Sequence, residues 1–192
     1  MVGITGGLGS GKTAIAVNFI VDDYNNGFKV YSNTPLKKIE YELLTIEKIE
    51  EMLNNETQLN NVILFIDELP VWVDCRRSSS YENLIISYLI LQSRKRGCHV
   101  YYTAQDFDLG DVRVYDYTTL KVSMEKITYV DDSGAVVEIE DIREMTILDG
   151  RTKPSSISND FVDISTAYDY YDTDFIIMPL AIKKKQKKKK IS

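Results

Sequence analysis

The amino-acid sequence predicts an α/β fold in which helices flank a parallel sheet and an antiparallel β extension continues that sheet. Strand-like and helix-like segments alternate up to about residue 105, which is the order that a parallel sheet with crossover helices produces. Residues 120–130, 135–139 and 142–148 then largely alternate apolar with polar side chains, as antiparallel strands with one solvated face do. The 192 residues, of which 44% are hydrophobic, suffice for one domain with its own core.

Hydrophobic patterning and turn residues place the elements of the first half of the chain. Val2–Thr5 is a short β-prone run before a glycine cluster, and residues 14–21 have the apolar spacing of a helix. Residues 28–32, which follow a turn signal, predict a second strand. Residues 45–53 predict an amphipathic helix with Thr45 as its N-cap.

The next elements include a strand that we expect to be buried on both faces. Val62–Ile66 is a continuous apolar run, typical of a central strand in a parallel sheet. Tyr81–Arg96 is the most helical stretch of the chain, and Gly97 is suited to ending it. Residues 100–104 predict another buried strand, and residues 131–134 predict a hairpin turn within the extension.

The C-terminal part of the chain differs in composition from the rest. We expect residues 1–150 to form the core with its antiparallel extension, and residues 151–182, which are acidic and rich in tyrosine, to be irregular. Residues 183–192 contain seven lysines and predict a flexible tail. The net charge is −6 for the whole chain but −13 without those lysines. The tail is therefore either a solvated solubility segment or a sequence-independent anchor to the phosphates of DNA or of an anionic membrane surface.

The sequence predicts a cytoplasmic protein without a transmembrane segment. Its apolar runs are much shorter than the roughly 18 residues that a membrane-spanning helix needs, and the N-terminus lacks the pattern of a signal peptide. Two cysteines, Cys75 and Cys98, are too few for a disulfide scaffold. We therefore expect a reducing compartment.

The most specific motif is a glycine-rich phosphate-binding loop, the Walker A motif or P-loop, at residues 6–13. These residues fit the pattern G-x-x-x-x-G-K-[ST]. Glycines let backbone N–H groups approach phosphate oxygens, and the following helix points the positive end of its dipole at the anion. Lys12 is predicted to reach the β- and γ-phosphates of ATP, and Thr13 to ligate Mg²⁺. The predicted nucleotide-binding residues are Gly6, Gly9, Ser10, Gly11, Lys12 and Thr13.

Two carboxylates, Asp67 and Glu68, come directly after the predicted strand Val62–Ile66. Ligands bind at the carboxyl ends of strands in open α/β sheets, so Asp67 is predicted to hold Mg²⁺ and Glu68 to act as the general base on the attacking water. The structural alternative is a solvated acidic pair at a strand end. Small-molecule kinases of this fold do not need a base beside the metal-binding Asp, so Glu68 favours an NTPase that hydrolyses its substrate.

Further catalytic candidates are one amide and several arginines. Gln105 follows the predicted strand 100–104, where it either senses the γ-phosphate or only caps the strand. Arg94 and Arg96 end the long predicted helix. Cations there are favoured by the helix dipole, and the functional alternative is an arginine supplied to the γ-phosphate of a neighbouring subunit. Three other arginines compete for that role: Arg76, Arg77 and Arg113.

Four of these segments occur in a combination that narrows the class of protein. They are the Walker A motif at 6–13, Phe-Ile-Asp-Glu at 65–68, Ser-Arg-Lys-Arg-Gly at 93–97 and Tyr-Thr-Ala-Gln at 102–105. Together they resemble the zonular occludens toxin (Zot) branch of the FtsK/HerA-type P-loop ATPases, over about residues 1–125. The arginine-rich helix end before a strand that ends in Ala-Gln is more specific than the Walker motifs, which many ATPases share.

The resemblance implies an ATP-driven motor, with ATP and Mg²⁺ as cofactors and DNA, bound without sequence specificity, as its partner. Such motors package viral genomes, assemble and extrude filamentous phages or act in conjugation, and they usually work as rings, often hexamers. Zot proteins of filamentous phages have a membrane span after the ATPase domain, and this sequence contains none. That difference favours a soluble packaging motor or a peripherally bound one, in the interior of a host cell and with contacts to virion proteins.

The resemblance also implies an arrangement of the site. It implies a RecA-like sheet in which the strand of Asp67 lies between the strand before Lys12 and the strand that ends at Gln105. At the positions that match the family's motifs, Lys12 and Thr13 are implied to bind nucleotide and metal, and Asp67 to bind metal. Glu68 is the implied general base and Gln105 the implied sensor of the γ-phosphate. Arg94 or Arg96 is the implied trans-acting arginine.

Two other function classes keep the phosphate loop. A P-loop kinase for a nucleotide or another small molecule would need a mobile, arginine-bearing lid and no water-activating glutamate, so Glu68 and Gln105 count against it. A non-catalytic nucleotide-binding assembly protein would not need the intact set of Lys12, Thr13, Asp67 and Glu68.

Overall fold

A computed structural model describes residues 1–54, 59–73, 80–107, 112–151 and 155–177 of the chain. The lysine-rich segment 183–192, Cys75 and two of the candidate arginines, Arg76 and Arg77, lie outside these described residues. Among the described residues, no helix combines the length and the apolar character needed to cross a bilayer.

Strands and helices alternate along the first part of the chain, as the sequence predicts. The strands are β1 Val2–Thr5, β2 Lys29–Ser32, β3 Tyr41–Leu43, β4 Val62–Ile66, β5 His99–Thr103, β6 Leu120–Val130, β7 Val136–Asp149 and β8 Ser156–Asp163. The helices are α1 Lys12–Asn25, α2 Ile46–Asn54, α3 Leu69–Trp72, α4 Tyr81–Arg96 and α5 Val112–Tyr117, followed by a 3-10 helix at Ser165–Asp169.

All eight strands belong to one sheet, in the order β3-β2-β4-β5-β1-β6-β7-β8. Neighbouring strands are parallel from β3 through β2, β4, β5 and β1 to β6. Strands β6, β7 and β8 are antiparallel to one another in turn. The predicted α/β fold with an antiparallel extension is therefore confirmed. The extension joins the rest of the sheet through the parallel pairing of β6 with β1, the strand that leads into the phosphate loop.

The strand order corrects one expectation about the site. The strand of Asp67, β4, does not lie between the strand before Lys12 and the strand that ends near Gln105. Instead β5 occupies the place between β4 and β1 and pairs with both. Thr103 at the end of β5 consequently lies between the phosphate loop and the carboxylates, and its hydroxyl donates to Asp67.

Most predicted elements have the expected positions, and their ends have clear physical causes. Helix α2 begins after Thr45, whose hydroxyl accepts a hydrogen bond from the Lys48 backbone N–H at 3.1 Å, so Thr45 is the predicted N-cap. Helix α4 ends at Gly97, which has the left-handed conformation (φ 75°) of a typical helix stop. The short elements β3, α3 and α5 have no equivalent in the sequence prediction.

The segment 151–182 is more regular than its composition suggests. Its described part contains β8 and the 3-10 helix at Ser165–Asp169. Nearly every residue of β8 is exposed, so this strand lacks the hydrophobic alternation by which sequence patterns reveal strands. Backbone pairing with β7 over eight residues forms it instead.

Two hydrophobic clusters cover the two faces of the parallel sheet. Strand β4 contributes to both, because Ile63 and Phe65 belong to the cluster beneath α1, whereas Leu64 and Ile66 belong to the cluster beneath α2 and α4. All five residues of β4 are buried, as predicted for a central parallel strand. This packing holds the carboxyl end of β4, and with it Asp67, in a fixed position at the sheet edge.

Candidate functional site

The phosphate loop lies at the carboxyl edge of the sheet, between the end of β1 and the start of α1. The Gly6 N–H donates to the Gln105 backbone oxygen at 3.3 Å, which ties the loop to the end of β5. A side chain at Gly6 would collide with the backbone oxygen of Met124 on β6. Gly11 precedes α1 in a left-handed conformation (φ 87°), which glycine adopts without strain. The loop therefore needs glycine at both positions.

Lys12 is buried and folded onto the loop. Its Nζ donates to the Gly7 backbone oxygen at 2.9 Å. Burial lowers the pKa of Lys12, and the charges of Glu68 and Asp67 oppose that shift. The ammonium group consequently lies near two carboxylates and a loop carbonyl, and the phosphates of a bound nucleotide would compete with these groups for it.

Asp67 connects three elements through its side chain and backbone. Its Oδ1 accepts hydrogen bonds from the hydroxyls of Thr13 at 3.0 Å and Thr103 at 2.6 Å. Its backbone N–H donates to Asn33 Oδ1 at 2.8 Å, and its backbone oxygen accepts from Asn33 Nδ2 at 2.9 Å. Burial raises the pKa of Asp67, an effect that the two hydroxyls and the charge of Lys12 reduce.

The Thr13 hydroxyl and the Asp67 carboxylate fit a magnesium site. Both are hard oxygen donors, which Mg²⁺ prefers, and they are already in contact at the end of the phosphate loop. The described residues contain no group of three or more His, Cys, Asp and Glu side chains that could hold a metal by themselves. This composition suits Mg²⁺ that is bound by few protein groups and by substrate phosphates.

Glu68 has a backbone conformation that is unusual for a residue with a side chain. Its φ is 50°, a left-handed conformation that costs free energy and tends to occur at functional sites. The Glu68 N–H donates to Thr103 Oγ1 at 2.8 Å, which holds this conformation in place. Burial and the neighbouring charge of Asp67 raise the pKa of Glu68, while Lys12 opposes the shift. A carboxylate with a raised pKa is a stronger proton acceptor.

The amide candidate, Gln105, lies beside the loop. Its side chain is exposed, and its backbone oxygen accepts the hydrogen bond from Gly6. The structure thus brings the loop, Lys12, Asp67, Glu68 and Gln105 together at one edge of the sheet.

Arg94 and Arg96 lie elsewhere, because α4 ends where β5 begins, at the opposite edge of the sheet. Neither arginine can reach the phosphate loop of its own chain. Arg94 is exposed. Arg96 is half-buried, and its guanidinium donates to the backbone oxygens of Met52 at 2.5 Å and Leu53 at 3.1 Å, at the C-terminal end of α2. Arg113, another candidate, lies on α5 and has contacts within the chain.

Sequence reasoning did not assign roles to two residues that organise this site, Asn33 and Thr103. The Asn33 side chain is hydrogen-bonded to the backbone N–H and C=O of Asp67. The Thr103 hydroxyl donates to the Asp67 carboxylate and accepts from the Glu68 backbone N–H. Their positions offered a signal, since Asn33 follows β2 and Thr103 ends β5 at the same edge of the sheet. Only the strand order shows that both adjoin β4.

Comparisons with solved structures agree with this fold. The N-terminal domain of zonular occludens toxin from Neisseria meningitidis is similar with a TM-score of 0.61 and 19% identity, over 89% of this chain and 97% of that one. The genome packaging NTPase B204 from Sulfolobus turreted icosahedral virus 2, in complex with ATP-gammaS, has a TM-score of 0.57 and 13% identity, over 82% and 95%. No protein-family model and no curated protein sequence matches the chain.

The fold and the site together define a class. The chain has a P-loop NTPase fold, with a loop that fits the G-x-x-x-x-G-K-[ST] pattern and the pair Asp67–Glu68 together at the carboxyl ends of its parallel strands. Within that class, its fold resembles those of the Zot N-terminal domain and of the viral packaging NTPase.

The different surroundings of Arg94 and Arg96 lead to a stability prediction. Arg96→Met removes the donors to the last carbonyls of α2, so we expect the free energy of unfolding to fall by about 1–3 kcal/mol. Arg94→Ala changes an exposed side chain and should alter it by less than about 0.5 kcal/mol. Urea unfolding of both variants measures this difference. Equal losses, or a larger loss for Arg94→Ala, would contradict the structural role of Arg96.

Proposed function

We propose that this chain is an ATPase subunit of a ring-shaped motor that moves or packages DNA, with residues 1–150 as its ATPase core. The observation that supports hydrolysis most directly is the arrangement around Asp67. Its carboxylate accepts the Thr13 hydroxyl at 3.0 Å, and the adjacent Glu68 is half-buried on a left-handed backbone with a raised pKa.

The loop and Lys12 bind the phosphates of ATP in this proposal. Backbone N–H groups of residues 6–13 and the start of α1 surround the phosphates, as in other P-loops. The Lys12 ammonium exchanges the Gly7 carbonyl for phosphate oxygens. Thr13 and Asp67 would hold Mg²⁺, which would supply positive charge to offset the negative charge of the phosphates.

Glu68 accepts the proton of the attacking water. The water oxygen forms a bond to the γ-phosphorus while the bond from phosphorus to the bridging oxygen of ADP breaks, which gives ADP and inorganic phosphate. In this proposal Gln105, which follows β5 and accepts the Gly6 N–H through its backbone oxygen, orients this water or senses the γ-phosphate. Asn33 and Thr103 hold the acidic pair in place.

Two features support DNA as the partner. The similar NTPase B204 is described as a genome packaging NTPase, and the lysine-rich segment 183–192 suits sequence-independent contacts to phosphates. We place the motor in the cytoplasm of the cell that contains it, with contacts to virion proteins or to a membrane surface.

A first experiment concerns the base. Glu68→Gln keeps the shape of the side chain but removes the proton acceptor, so ATP hydrolysis should fall by at least about a hundredfold while ATP binding persists. Lys12→Ala should weaken ATP binding itself. The matched control is Glu51→Gln, an exposed glutamate on α2, which should keep wild-type turnover. Phosphate release and nucleotide titration measure both quantities.

Two outcomes would contradict this assignment. Wild-type turnover of Glu68→Gln would exclude Glu68 as the base. Phosphate transfer from ATP to an added acceptor such as a nucleoside monophosphate, without release of free phosphate, would instead identify a P-loop kinase.

A second experiment concerns DNA and the lysine-rich segment. Double-stranded DNA of any sequence should stimulate ATP hydrolysis by the full chain. Deletion of residues 183–192 should weaken DNA affinity and reduce the slope of log affinity against log salt, because fewer counterions are released. Basal hydrolysis without DNA should remain unchanged. An unchanged affinity and salt slope would exclude the segment as a DNA anchor, and binding to anionic liposomes would then test a membrane role.

A third experiment concerns the ring. If Arg94 completes the site of a neighbouring subunit, hydrolysis per chain should rise with protein concentration, and Arg94→Ala should lower it. Mixing Arg94→Ala with Glu68→Gln should restore part of the activity, since the first variant keeps Lys12 and Glu68 and the second supplies Arg94.

The control for this experiment mixes Glu68→Gln with Lys12→Ala. No site in that mixture has both residues, so no activity should return. A monomer whose rate per chain is independent of concentration, with no recovery on mixing Arg94→Ala with Glu68→Gln, would reject the ring.

A further inference from the structure

A large bulge in β7 lies next to the phosphate loop. Lys126 of β6 pairs with Arg143 of β7, but the next pair is Thr128 with Glu138. Residues 139–142 therefore lie opposite the single residue Ile127 of β6. One residue of the bulge, Asp141, has a left-handed backbone (φ 64°). Bulges of this kind redirect side chains and frequently occur beside active sites.

The side chain of Arg143 fills this bulge. Only 6% of it is exposed. Its Nη1 donates to two backbone oxygens within the bulge, those of Ile139 at 3.0 Å and Ile142 at 2.9 Å. Its Nη2 forms an ion pair with Glu138 at 3.0 Å. Nη1 thus donates to the two carbonyl oxygens of the bulge, whereas Nη2 makes separate contacts.

The same guanidinium reaches the phosphate loop. Arg143 Nη2 donates to the Gly9 backbone oxygen at 3.5 Å, and a Cβ placed on Gly11 would lie 3.4 Å from Arg143 Cγ. Lys126 reinforces this contact, because its Nζ forms an ion pair with Glu138 at 2.9 Å and would lie 3.2 Å from a Cβ on Gly9. The extension therefore contacts the loop at Gly9 and lies close to it at Gly11.

We propose that Arg143 is a positioning residue that holds the phosphate loop in its phosphate-binding conformation through its hydrogen bond to the Gly9 backbone oxygen. The proposal extends the proposed function, since it assigns a residue of the antiparallel extension to the same nucleotide site. Through Arg143, the β6–β7 hairpin and the loop form one connected unit.

The surroundings of Arg143 distinguish this role from simple filling of the bulge. A bulge-filling residue needs only the two bonds of Nη1 to Ile139 and Ile142. Arg143 is longer than that role requires, and its Nε is buried without a hydrogen-bond partner among the described residues. Leaving a polar atom unpaired costs free energy, so the guanidinium is placed at a cost to reach Glu138 and Gly9.

A preorganised loop binds phosphate more tightly because less conformational entropy is lost on binding. Glycines make the loop flexible by themselves, and Gly9 has no side chain to hold it. A fixed hydrogen bond to its carbonyl restricts the loop before the ligand arrives. The affinity for ligands that carry phosphates should therefore depend on Arg143, whereas the affinity for adenosine, which carries none, should not.

The test measures calorimetric affinities of the full chain for ADP, inorganic pyrophosphate and adenosine. In Arg143→Lys, the single nitrogen can bond the bulge carbonyls but cannot also reach Gly9. We expect this variant to fold and to bind ADP and pyrophosphate about tenfold more weakly, with adenosine binding unchanged. Arg143→Met should show the same pattern with a larger loss. In steady-state ATP hydrolysis, KM should rise about tenfold while kcat changes by less than about threefold.

The matched control is Arg151→Met. Arg151 belongs to the same extension and forms an exposed ion pair with Asp149 at 2.6 Å, away from the loop. It should keep wild-type affinity for all three ligands. Thermal unfolding of each variant shows whether the chain is folded at the temperature of the binding measurement.

Wild-type affinity of folded Arg143→Lys for ADP and pyrophosphate would overturn the proposal and leave Arg143 with a purely structural role. Equal weakening for adenosine would also overturn it, because adenosine has no phosphate and the loss would then come from contacts to the base or ribose. If the wild-type chain bound pyrophosphate but did not hydrolyse ATP, the proposed function would fail while this test of Arg143 would still stand.

Discussion

The site depends on a single carboxylate oxygen. Asp67 Oδ1 accepts hydrogen bonds from Thr13 at the start of α1 and from Thr103 at the end of β5. A buried carboxylate would be very costly without such donors, so the two hydroxyls and the charge of Lys12 are conditions for its burial. Asn33 fixes the same residue through its backbone. These contacts fix the phosphate loop and the carboxyl ends of β4 and β5 relative to one another.

The charges of the site are mutually dependent. Burial raises the pKa values of Asp67 and Glu68 and lowers that of Lys12. Each carboxylate favours the charged form of the lysine, while Asp67 disfavours ionisation of Glu68. Glu68 is thus a stronger base than an exposed glutamate, and its basicity depends on the charges of Asp67 and Lys12.

The extension contacts the phosphate loop as well as widening the sheet. It joins the sheet at β1, the strand that enters the loop, so the backbone of Met124 and the side chain of Lys126 lie directly behind the loop glycines. The bulge in β7 then brings Arg143 to the same side. Strands paired with β3, on the far side of the sheet, could not make these contacts. The attachment of the extension to β1 therefore determines which residues contact the loop.

The sequence alone determined the local features of this protein. The glycine spacing of residues 6–13, the apolar run of β4 and the Gly97 stop of α4 each depend on neighbouring residues, so their structure is encoded within a few positions. Asp67 and Glu68 could be assigned to the site because they follow directly on β4.

The tertiary structure decided the features that depend on contacts between distant parts of the chain. The position of β5 between β4 and β1, the roles of Asn33 and Thr103, and the contact of Arg143 with Gly9 all join residues that are more than thirty positions apart. Strand β8 has an exposed, polar sequence and forms because β7 offers it a free edge. No local pattern carries this information, because these interactions exist only after the sheet has brought its strands together.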